Sequence, residues 1–449
     1  MASNDPAPPA PTPRRAAVPR PVGAAAPPPP PTPAAAPPPL ETYLELERIL
    51  FQVNEALETA ESFESFQELL AERDTPEGRV RQMTALTLGG DLHLHSNASD
   101  GRLPARKLPW LARALGLRVI ALTDHDSIDG CRDAFREGTL VGVQVLPGVE
   151  FSTGRLGLEI LTYFPDAGRL FAFLASSRSA RFREALQRRQ DVIHQTSLAC
   201  LEHVNVWLAR QKVPPESLIT LAEFDRWFGG QKPYFPGTLC VLGLKRLTME
   251  QRARLKISDP RAFNTKVVTP FLRDYALKAP PGAAKSSKQP ADLLEEAFQL
   301  VRLVQRAGVP AATFLAHPRE LVTKGRMSLG AVRRLVFDLA DRHGLDGLEV
   351  ACSRDGDDDI RYWKEIAAEY GAALESRPEK GRKGKQLLEA SHSSDFHVLG
   401  PGLATGEITL GFGVLDSRPQ FRRGNLRPQL QLDEFLEQLR RRAAENASS

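Results

Sequence analysis

The stretch Asp91-Leu-His-Leu-His-Ser-Asn-Ala-Ser-Asp-Gly101 is predicted to begin as a short β-strand that ends in ionisable side chains. Alternate side chains of a strand lie on the same side, so the rings of His93 and His95 can bind one ion. A single histidine on an apolar strand is more often an ordinary core residue. The pair, followed five residues after His95 by Asp100 and then by a glycine, favours ligands instead. The stretch therefore predicts a metal site at the end of a strand.

Other predicted strands end in the same way. The apolar run Arg118 to Thr123 stops at Asp124-His-Asp126, where unpaired buried charges would be costly and metal coordination would compensate. Glu150 follows Pro147-Gly-Val, and a carboxylate in that position suits a bridge between two ions. The eight candidate metal ligands are His93, His95, Asp100, His125, Glu150, His317, Asp395 and His397.

Strand and helix signals alternate along much of the chain, which predicts a largely parallel α/β sheet, open or closed into a barrel. The carboxyl ends of parallel strands gather on one face, where the eight candidates would meet. Predicted strands are 91–95, 118–123, 141–146, 158–163, 312–316, 345–351 and 387–390. Predicted helices include 103–115, a helix starting within 127–135, 293–306, 329–343, 358–370 and 432–442.

Composition divides the chain into six segments. The Pro- and Ala-rich start cannot bury enough surface to offset its ordering entropy and is expected to be disordered. The segments are a disordered tail at 1–40, N-terminal helices at 41–88, a first barrel part at 89–167, an inserted helical subdomain at 168–288, a second barrel part at 289–415 and a C-terminal extension with a helix at 416–449.

Charge and cysteine content give weaker information. The net charge of +4 comes from 59 basic and 55 acidic residues, so a balanced surface is the simplest interpretation. The four cysteines are far apart and contain no Cys-x-x-Cys pair, which predicts buried free thiols in a reducing compartment. No apolar run has the length of a signal peptide core or a membrane span, so we expect a cytoplasmic protein without a membrane partner.

Four ordered motifs resemble those of the polymerase and histidinol phosphatase (PHP) superfamily. They are Asp91-Leu-His-Leu-His-Ser with Ser99-Asp-Gly101, Leu122-Thr-Asp-His-Asp126, Leu315-Ala-His-Pro318 and Ser394-Asp-Phe-His397. The resemblance covers residues 89–165 and 289–412 and implies a distorted (β/α)7 barrel with up to three divalent ions. The inserted helical region resembles the branch that contains nucleoside 3′,5′-bisphosphate phosphatases and 5′-to-3′ exonucleases.

The resemblance also implies a ligand set for each ion. The first would use His93, His95, Glu150 and Asp395, and the second Asp100, His125 and His397. The third would use Glu150, His317 and a further histidine, expected at Leu161 or Thr162, where this chain has none. The third ion is then absent or loosely held, is completed by water, His392 or Asp126, or catalysis is impaired.

The activity that the resemblance implies is hydrolysis of a phosphate ester by metal-activated water, with two or three Mn²⁺, Zn²⁺ or Fe²⁺ ions per chain. Asp126 would orient a histidine ligand or assist proton transfer. Arg319 and the loop 377–385 are candidates for binding the remaining phosphates of the substrate. The catalytic candidates are Asp126, His125, His317 and Arg319.

The substrate and the partners stay open at this point. Expected substrates are a phosphorylated small molecule, a nucleotide or the 5′ end of a short nucleic acid. The Arg-Pro-His segment usual in the insertion of this branch is replaced by Lys232-Pro-Tyr-Phe-Pro236. Alternatives are a histidinol-phosphate-type phosphatase, and a non-catalytic module that binds a nucleotide or a protein, with the Pro-rich tail either a docking segment or a spacer.

Overall fold

The structure is a computed structural model of the full chain. It describes residues 52–53, 55–73, 89–101, 103–153, 158–227, 233–272, 290–323, 326–350, 357–376, 385–390, 395 and 428–448. The predicted tail at 1–40 lies outside these residues, as do His392, His397, Cys352 and all of the loop 377–385 except Lys385.

A seven-stranded sheet forms the centre of the fold, and its strands follow one another in chain order. Neighbouring strands are parallel except around β4, which is antiparallel to both β3 and β5. The strands are β1 Gly90–Leu94, β2 Val119–Leu122, β3 Gln144–Ser152, β4 Glu159–Tyr163, β5 Ala312–Leu315, β6 Gly347–Glu349 and β7 Leu388–Ala390. The α/β class and the largely parallel sheet predicted from the sequence are confirmed.

The reversal at β4 follows from the length of its connection. Only six residues, 153–158, separate β3 from β4, whereas a crossover between parallel strands needs a dozen or more. The two strands therefore form an antiparallel hairpin, in which Glu150 pairs with Leu161 and Ser152 pairs with Glu159. As a result, the N-terminal end of β4 lies at the edge where the parallel strands have their carboxyl ends.

The sheet curls strongly. His93 on β1 and Glu349 on β6 are five strands apart, which in a flat sheet would separate them by about 24 Å. Their side chains are instead in contact, with His93 Nδ1 2.9 Å from Glu349 Oε1. This curvature agrees with the distorted barrel expected from the resemblance.

Helices alternate with the strands as predicted, with shifts of a few residues at their ends. The helix before β3 runs to Val141 and stops at Gly142, whose φ of +74° suits glycine, so β3 begins at Gln144 rather than at Val141. The helices outside the insertion are α1 Phe63–Glu72, α2 Leu108–Ala114, α3 Cys131–Val141, α10 Pro290–Arg306, α11 Pro318–Thr323, α12 Leu329–Asp338, α13 Asp357–Glu375 and α14 Pro428–Ser448.

The two faces of the sheet bury different sets of residues. Ile120, Val145 and Ile160 belong to a large core cluster together with residues of the surrounding helices. The opposite face, which includes Leu161 and Phe314, belongs to a cluster that contains Leu432, Phe435, Leu436, Leu439 and Ala443 of α14. The C-terminal helix therefore covers the inward face of the curled sheet.

The region between β4 and β5 is helical and has a core cluster of its own. Its helices are α4 Ala167–Ala175, α5 Ala180–Arg210, α6 Leu221–Trp227, α7 Thr238–Lys245, α8 Met249–Leu255 and α9 Pro260–Phe263. The boundaries assigned to the insertion and to the other segments stay predictions.

Two further expectations concern the cysteines and the membrane. Cys131, Cys200 and Cys240 are buried free thiols, as predicted, and burial raises the pKa of the Cys200 and Cys240 thiols to about 12. Among the described residues, no helix combines the length and the apolar character needed to cross a bilayer.

Candidate metal centre

Glu150 lies at the middle of the candidate site, near the end of β3, and is fully buried. Its Oε2 is 3.0 Å from His93 Nε2, 3.2 Å from His95 Nε2 and 3.3 Å from His125 Nδ1. Its Oε1 is 3.1 Å from His317 Nε2. Four histidines from three segments of the chain therefore meet around the two oxygens of one carboxylate.

His93 and His95 point their Nε2 atoms at the same place, only 3.1 Å from each other. Asp395 Oδ1 completes this group, 3.5 Å from His93 Nε2 and 3.3 Å from His95 Nε2. Such a set of imidazole nitrogens and carboxylate oxygens, buried and close together, is typical of sites for Mn²⁺, Fe²⁺ or Zn²⁺. The assignment of these residues to one ion stays a prediction.

Asp100 and His125 lie on the more open side of the cluster. Their side chains are 23% and 12% exposed, whereas those of His93 and His95 are fully buried. Asp100 Oδ2 is 3.8 Å from His125 Nε2. The third member of their expected set, His397, lies outside the described residues.

The charges in the cluster shift its pKa values in opposite directions. Burial by itself would lower the pKa of His93, but the negative charges of Glu150, Glu349 and Asp395 hold it well above the ordinary value. Burial would raise the pKa of Glu150, but the neighbouring imidazoles, His93 foremost, hold it well below its usual range. In the absence of an ion, the protonated form of His93 is therefore favoured by the carboxylates around it.

Two glutamates in contact with these histidines were not among the predicted site residues. Glu349, at the end of β6, accepts a hydrogen bond from the backbone N–H of His317 at 2.6 Å and contacts His93 Nδ1. Glu159, at the start of β4, has its Oε2 3.2 Å from His317 Nε2. For Glu349 there was a signal, because it is an ionisable residue near the end of the predicted strand Leu345 to Ala351. Glu159 gives no comparable signal.

Asp124 fixes the loop that carries Asp100. Its buried carboxylate accepts hydrogen bonds from the backbone N–H and hydroxyl of Ser96, each at 2.7 Å, and from the Ser99 hydroxyl at 2.5 Å. Burial raises the pKa of Asp124, and the hydrogen bonds offset part of that rise. The middle residue of the predicted Asp-His-Asp segment faces the metal cluster, while this neighbour supports the loop.

Asp126 faces the insertion rather than the four histidines. Its Oδ1 accepts a hydrogen bond from Arg189 Nε at 2.5 Å, and its backbone carbonyl accepts one from Gln190 at 2.9 Å. The side chains of Asp126 and Arg189 are both buried. Arg189 also donates a hydrogen bond to the backbone carbonyl of Ser152. Nothing in the sequence indicated that Arg189 pairs with Asp126. The roles assigned to Asp126 stay predictions.

The remaining candidates have ordinary structural partners. Arg319 Nε lies 3.1 Å from Asp359 Oδ2 on α13. Leu161, where a histidine was expected, is fully buried, and Thr162 is buried beside it. Phe235 of the insertion packs against His125, with 5.7 Å between the ring centroids. The insertion therefore reaches the open side of the cluster.

Residues 91–224 match the family model of the PHP domain. This part of the chain is similar to the PHP domain. The resemblance drawn from the four motifs is confirmed, and the matched part of the PHP domain contains His93, His95, Asp100, His125 and Glu150.

Curated proteins similar to this chain include an exoribonuclease and a bisphosphate phosphatase. A 5′-3′ exoribonuclease of Haemophilus influenzae is 38% identical over 101 residues, which span 22% of this chain and only 37% of that protein. A 3′,5′-nucleoside bisphosphate phosphatase of Chromobacterium violaceum is 27% identical over 318 residues, 70% of this chain and 88% of that protein. A solved amidohydrolase structure from Chromobacterium violaceum has a TM-score of 0.41 at 24% identity, covering 69% of this chain and 87% of that one, and we draw no conclusion from a likeness of that size.

The donor set fits a divalent cation. Among the residues that the structure describes, two groups of side chains have ligand atoms that all lie within 4.8 Å of one another. One is formed by His93, Glu150, His317 and Asp395 and the other by His95, His125 and Glu150. Burying this many ionisable groups together is costly unless they are paired or bind metal. The number and identity of the ions stay predictions.

Proposed function

We propose that this PHP domain is a metal-dependent phosphoesterase. The observation that carries the proposal is the convergence of four histidines on the two oxygens of Glu150, with Asp395 beside them. A divalent ion bound there would lower the pKa of water and stabilise negative charge on phosphoryl oxygens. The names of both curated relatives, a bisphosphate phosphatase and an exoribonuclease, support a phosphate ester as substrate.

The residues of this chain would divide the work between ligation and orientation. His93, His95, Asp395 and Glu150 would hold one ion, and Asp100 with His125 would contribute to a second on the exposed side. His125 has the most exposed side chain of the four histidines, at 12%, so it lies nearest to an entering phosphate.

We favour a nucleoside 3′,5′-bisphosphate over other phosphate esters as the substrate. The likeness to the bisphosphate phosphatase extends over 318 residues, whereas the likeness to the exoribonuclease covers 101. Phe235, which the insertion contributes beside His125, adds an aromatic surface near the open side of the cluster, where a base could stack. Release of the 5′-terminal nucleotide of a short RNA is the second candidate, supported by the 38% identity to the exoribonuclease.

The test combines metal analysis with turnover. The full chain is expected to bind at least one ion per molecule and to release phosphate from an aryl phosphate in the presence of Mn²⁺ but not after chelation. His95→Ala should abolish both. His203→Ala, which removes a histidine that stacks on Phe271 in the insertion, is the matched control and should change neither.

Substrate comparison then separates the candidates. A nucleoside 3′,5′-bisphosphate should be hydrolysed faster than short 5′-phosphorylated RNA or histidinol phosphate. A protein that binds no ion and releases no phosphate would contradict the enzyme proposal and leave the non-catalytic module.

A further inference from the structure

The strand β4 lacks the histidine expected at Leu161 or Thr162. Leu161 is fully buried in the same core cluster as Phe314 and the residues of α14, and its apolar side chain offers no ligand atom. The third expected ligand set is thus short of one member at this position. A different residue of the same strand takes up a place beside His317.

Glu159 occupies that place. It lies two residues before Leu161, on the same side of the strand, and its side chain is 23% exposed at the rim. Its Oε2 is 3.2 Å from His317 Nε2, and the same nitrogen is 3.1 Å from Glu150 Oε1. One imidazole nitrogen therefore faces a carboxylate oxygen from each of two strands.

The sheet itself places Glu159 beside His317. Ile160 pairs with Leu315 in the antiparallel ladder between β4 and β5, and the backbone N–H of Ala316 donates to the carbonyl of Glu159 at 3.0 Å. His317 is the next residue after Ala316. The backbone ladder therefore brings the two residues close together, whatever the charge of the histidine.

Asp126 was also named as a residue that could complete the third ligand set, but its carboxylate has another partner. Its Oδ1 accepts the hydrogen bond from Arg189, whose guanidinium is also 3.5 Å from Glu296. Turning the Asp126 carboxylate toward His317 would leave the buried charge of Arg189 without one of its two acidic partners. Glu159 needs no such rearrangement.

We propose that Glu159 replaces the missing histidine and, with Glu150 and His317, completes a third cation position. This proposal rests on the metal-dependent function proposed above. Carboxylate oxygens are harder metal ligands than imidazole nitrogens. A set of two carboxylates and one imidazole therefore favours Mn²⁺ or Mg²⁺ relative to Zn²⁺ more than a set with two imidazoles does. The third position should therefore differ in metal preference from the histidine-rich group around His93 and His95.

The test measures Mn²⁺ binding to the full chain by titration calorimetry and by elemental analysis after desalting. Glu159→Gln, which keeps size and removes charge, should lose one bound ion per chain or weaken one binding step by about tenfold or more. Glu159→His should keep the ion count and shift that step toward Zn²⁺. Glu365→Gln, at an exposed position of α13, is the control and should leave the count and the affinities unchanged.

The outcomes distinguish this inference from the proposed function. If the unaltered chain binds ions and Glu159→Gln binds the same number equally tightly, the role of Glu159 is wrong and the proposed function stands. If the unaltered chain binds no ion, both are wrong. Should Glu159→Gln fail to fold, Glu159→His carries the test, and an unchanged preference between Mn²⁺ and Zn²⁺ would overturn the proposal.

Discussion

Glu349 Oε1 lies 2.9 Å from His93 Nδ1, on the opposite side of the ring from the Nε2 that faces Glu150. A carboxylate in this position accepts a hydrogen bond from the Nδ1–H group. The proton then stays on Nδ1, and the Nε2 lone pair is available to a metal ion. The other oxygen of Glu349 accepts the backbone N–H of His317. One buried glutamate thus orients two of the proposed metal-binding segments.

Replacing Glu349 should weaken metal binding without touching a proposed ligand. The amide of Glu349→Gln has a single acceptor oxygen, so either His93 or the backbone of His317 loses its partner. We expect a loss of about 10- to 100-fold in Mn²⁺ affinity, measured by titration calorimetry. Glu365→Gln, at an exposed position of α13, is the control, and equal affinities for the two variants would contradict the orienting role.

Metal binding should release protons. The negative charges of Glu150, Glu349 and Asp395 raise the pKa of His93 despite its burial. The pKa of His317 is raised, also against its burial, because its imidazole can donate hydrogen bonds to the carboxylates of Glu150 and Glu159. A raised pKa extends the pH range over which an imidazole carries its proton, so a metal ion must compete with that proton and the apparent metal affinity should rise with pH.

The measurement is the calorimetric binding enthalpy at neutral pH in two buffers that differ in ionisation enthalpy. A difference between the buffers reports the protons released. The folding stability of the metal-free protein should change with pH in the opposite direction to metal affinity. The stabilisation that comes from the raised histidine pKa values is present at low pH and is lost as the pH rises through those values. Identical enthalpies in both buffers would show that the histidines bind metal without deprotonation.

The contact between Arg189 and Asp126 should be important for stability. Their side chains are 4% and 1% exposed, so Arg189→Met would leave Asp126 buried without its closest cation. We expect a loss of about 3–5 kcal/mol in the free energy of unfolding, measured by urea denaturation. The neighbouring Arg188, 59% exposed, provides the control, since Arg188→Met should cost about 1 kcal/mol or less.

A second substitution tests whether the cost comes from the unpaired charge. Asp126→Asn in the Arg189→Met background removes that charge and should recover part of the loss. Additive effects of the two substitutions would indicate that they do not interact.

The C-terminal helix should be an integral part of the core. Leu439 on α14 is fully buried in the cluster on the inward face of the sheet. Leu439→Ala should lower the free energy of unfolding by about 2–5 kcal/mol. Leu140→Ala, at a position 70% exposed on α3, should change it by about 0.5 kcal/mol or less, and a similar effect of both variants in thermal unfolding would argue against the packing role.

The sequence predicted the strands and the residues at their ends because both leave local patterns. An apolar run that stops at His93-Leu-His95 or at Asp124-His-Asp126 is visible without knowledge of the fold. Glu349 and His93 are 256 residues apart in the sequence. Their contact depends on the curvature of the sheet, which no local sequence pattern predicts.

Arg189 illustrates a different limit. On α5 it is one basic residue among several, and what distinguishes it is the direction in which the helix packs. Arg188, its neighbour in sequence, is largely exposed, while Arg189 is buried against Asp126. Helical periodicity shows that one of the two faces inward, but it cannot identify the carboxylate that it meets.

The hairpin of β3 and β4 has a consequence for how this centre could change over evolutionary time. Residues 159 and 161 project from the same side of one strand, about 7 Å apart along it. A donor could therefore pass from one position to the other through two point substitutions, with no insertion or deletion. A lineage that gained an acidic residue at the rim first would tolerate a leucine at the deeper position afterwards, and the interior could then become more apolar while the rim kept its charge.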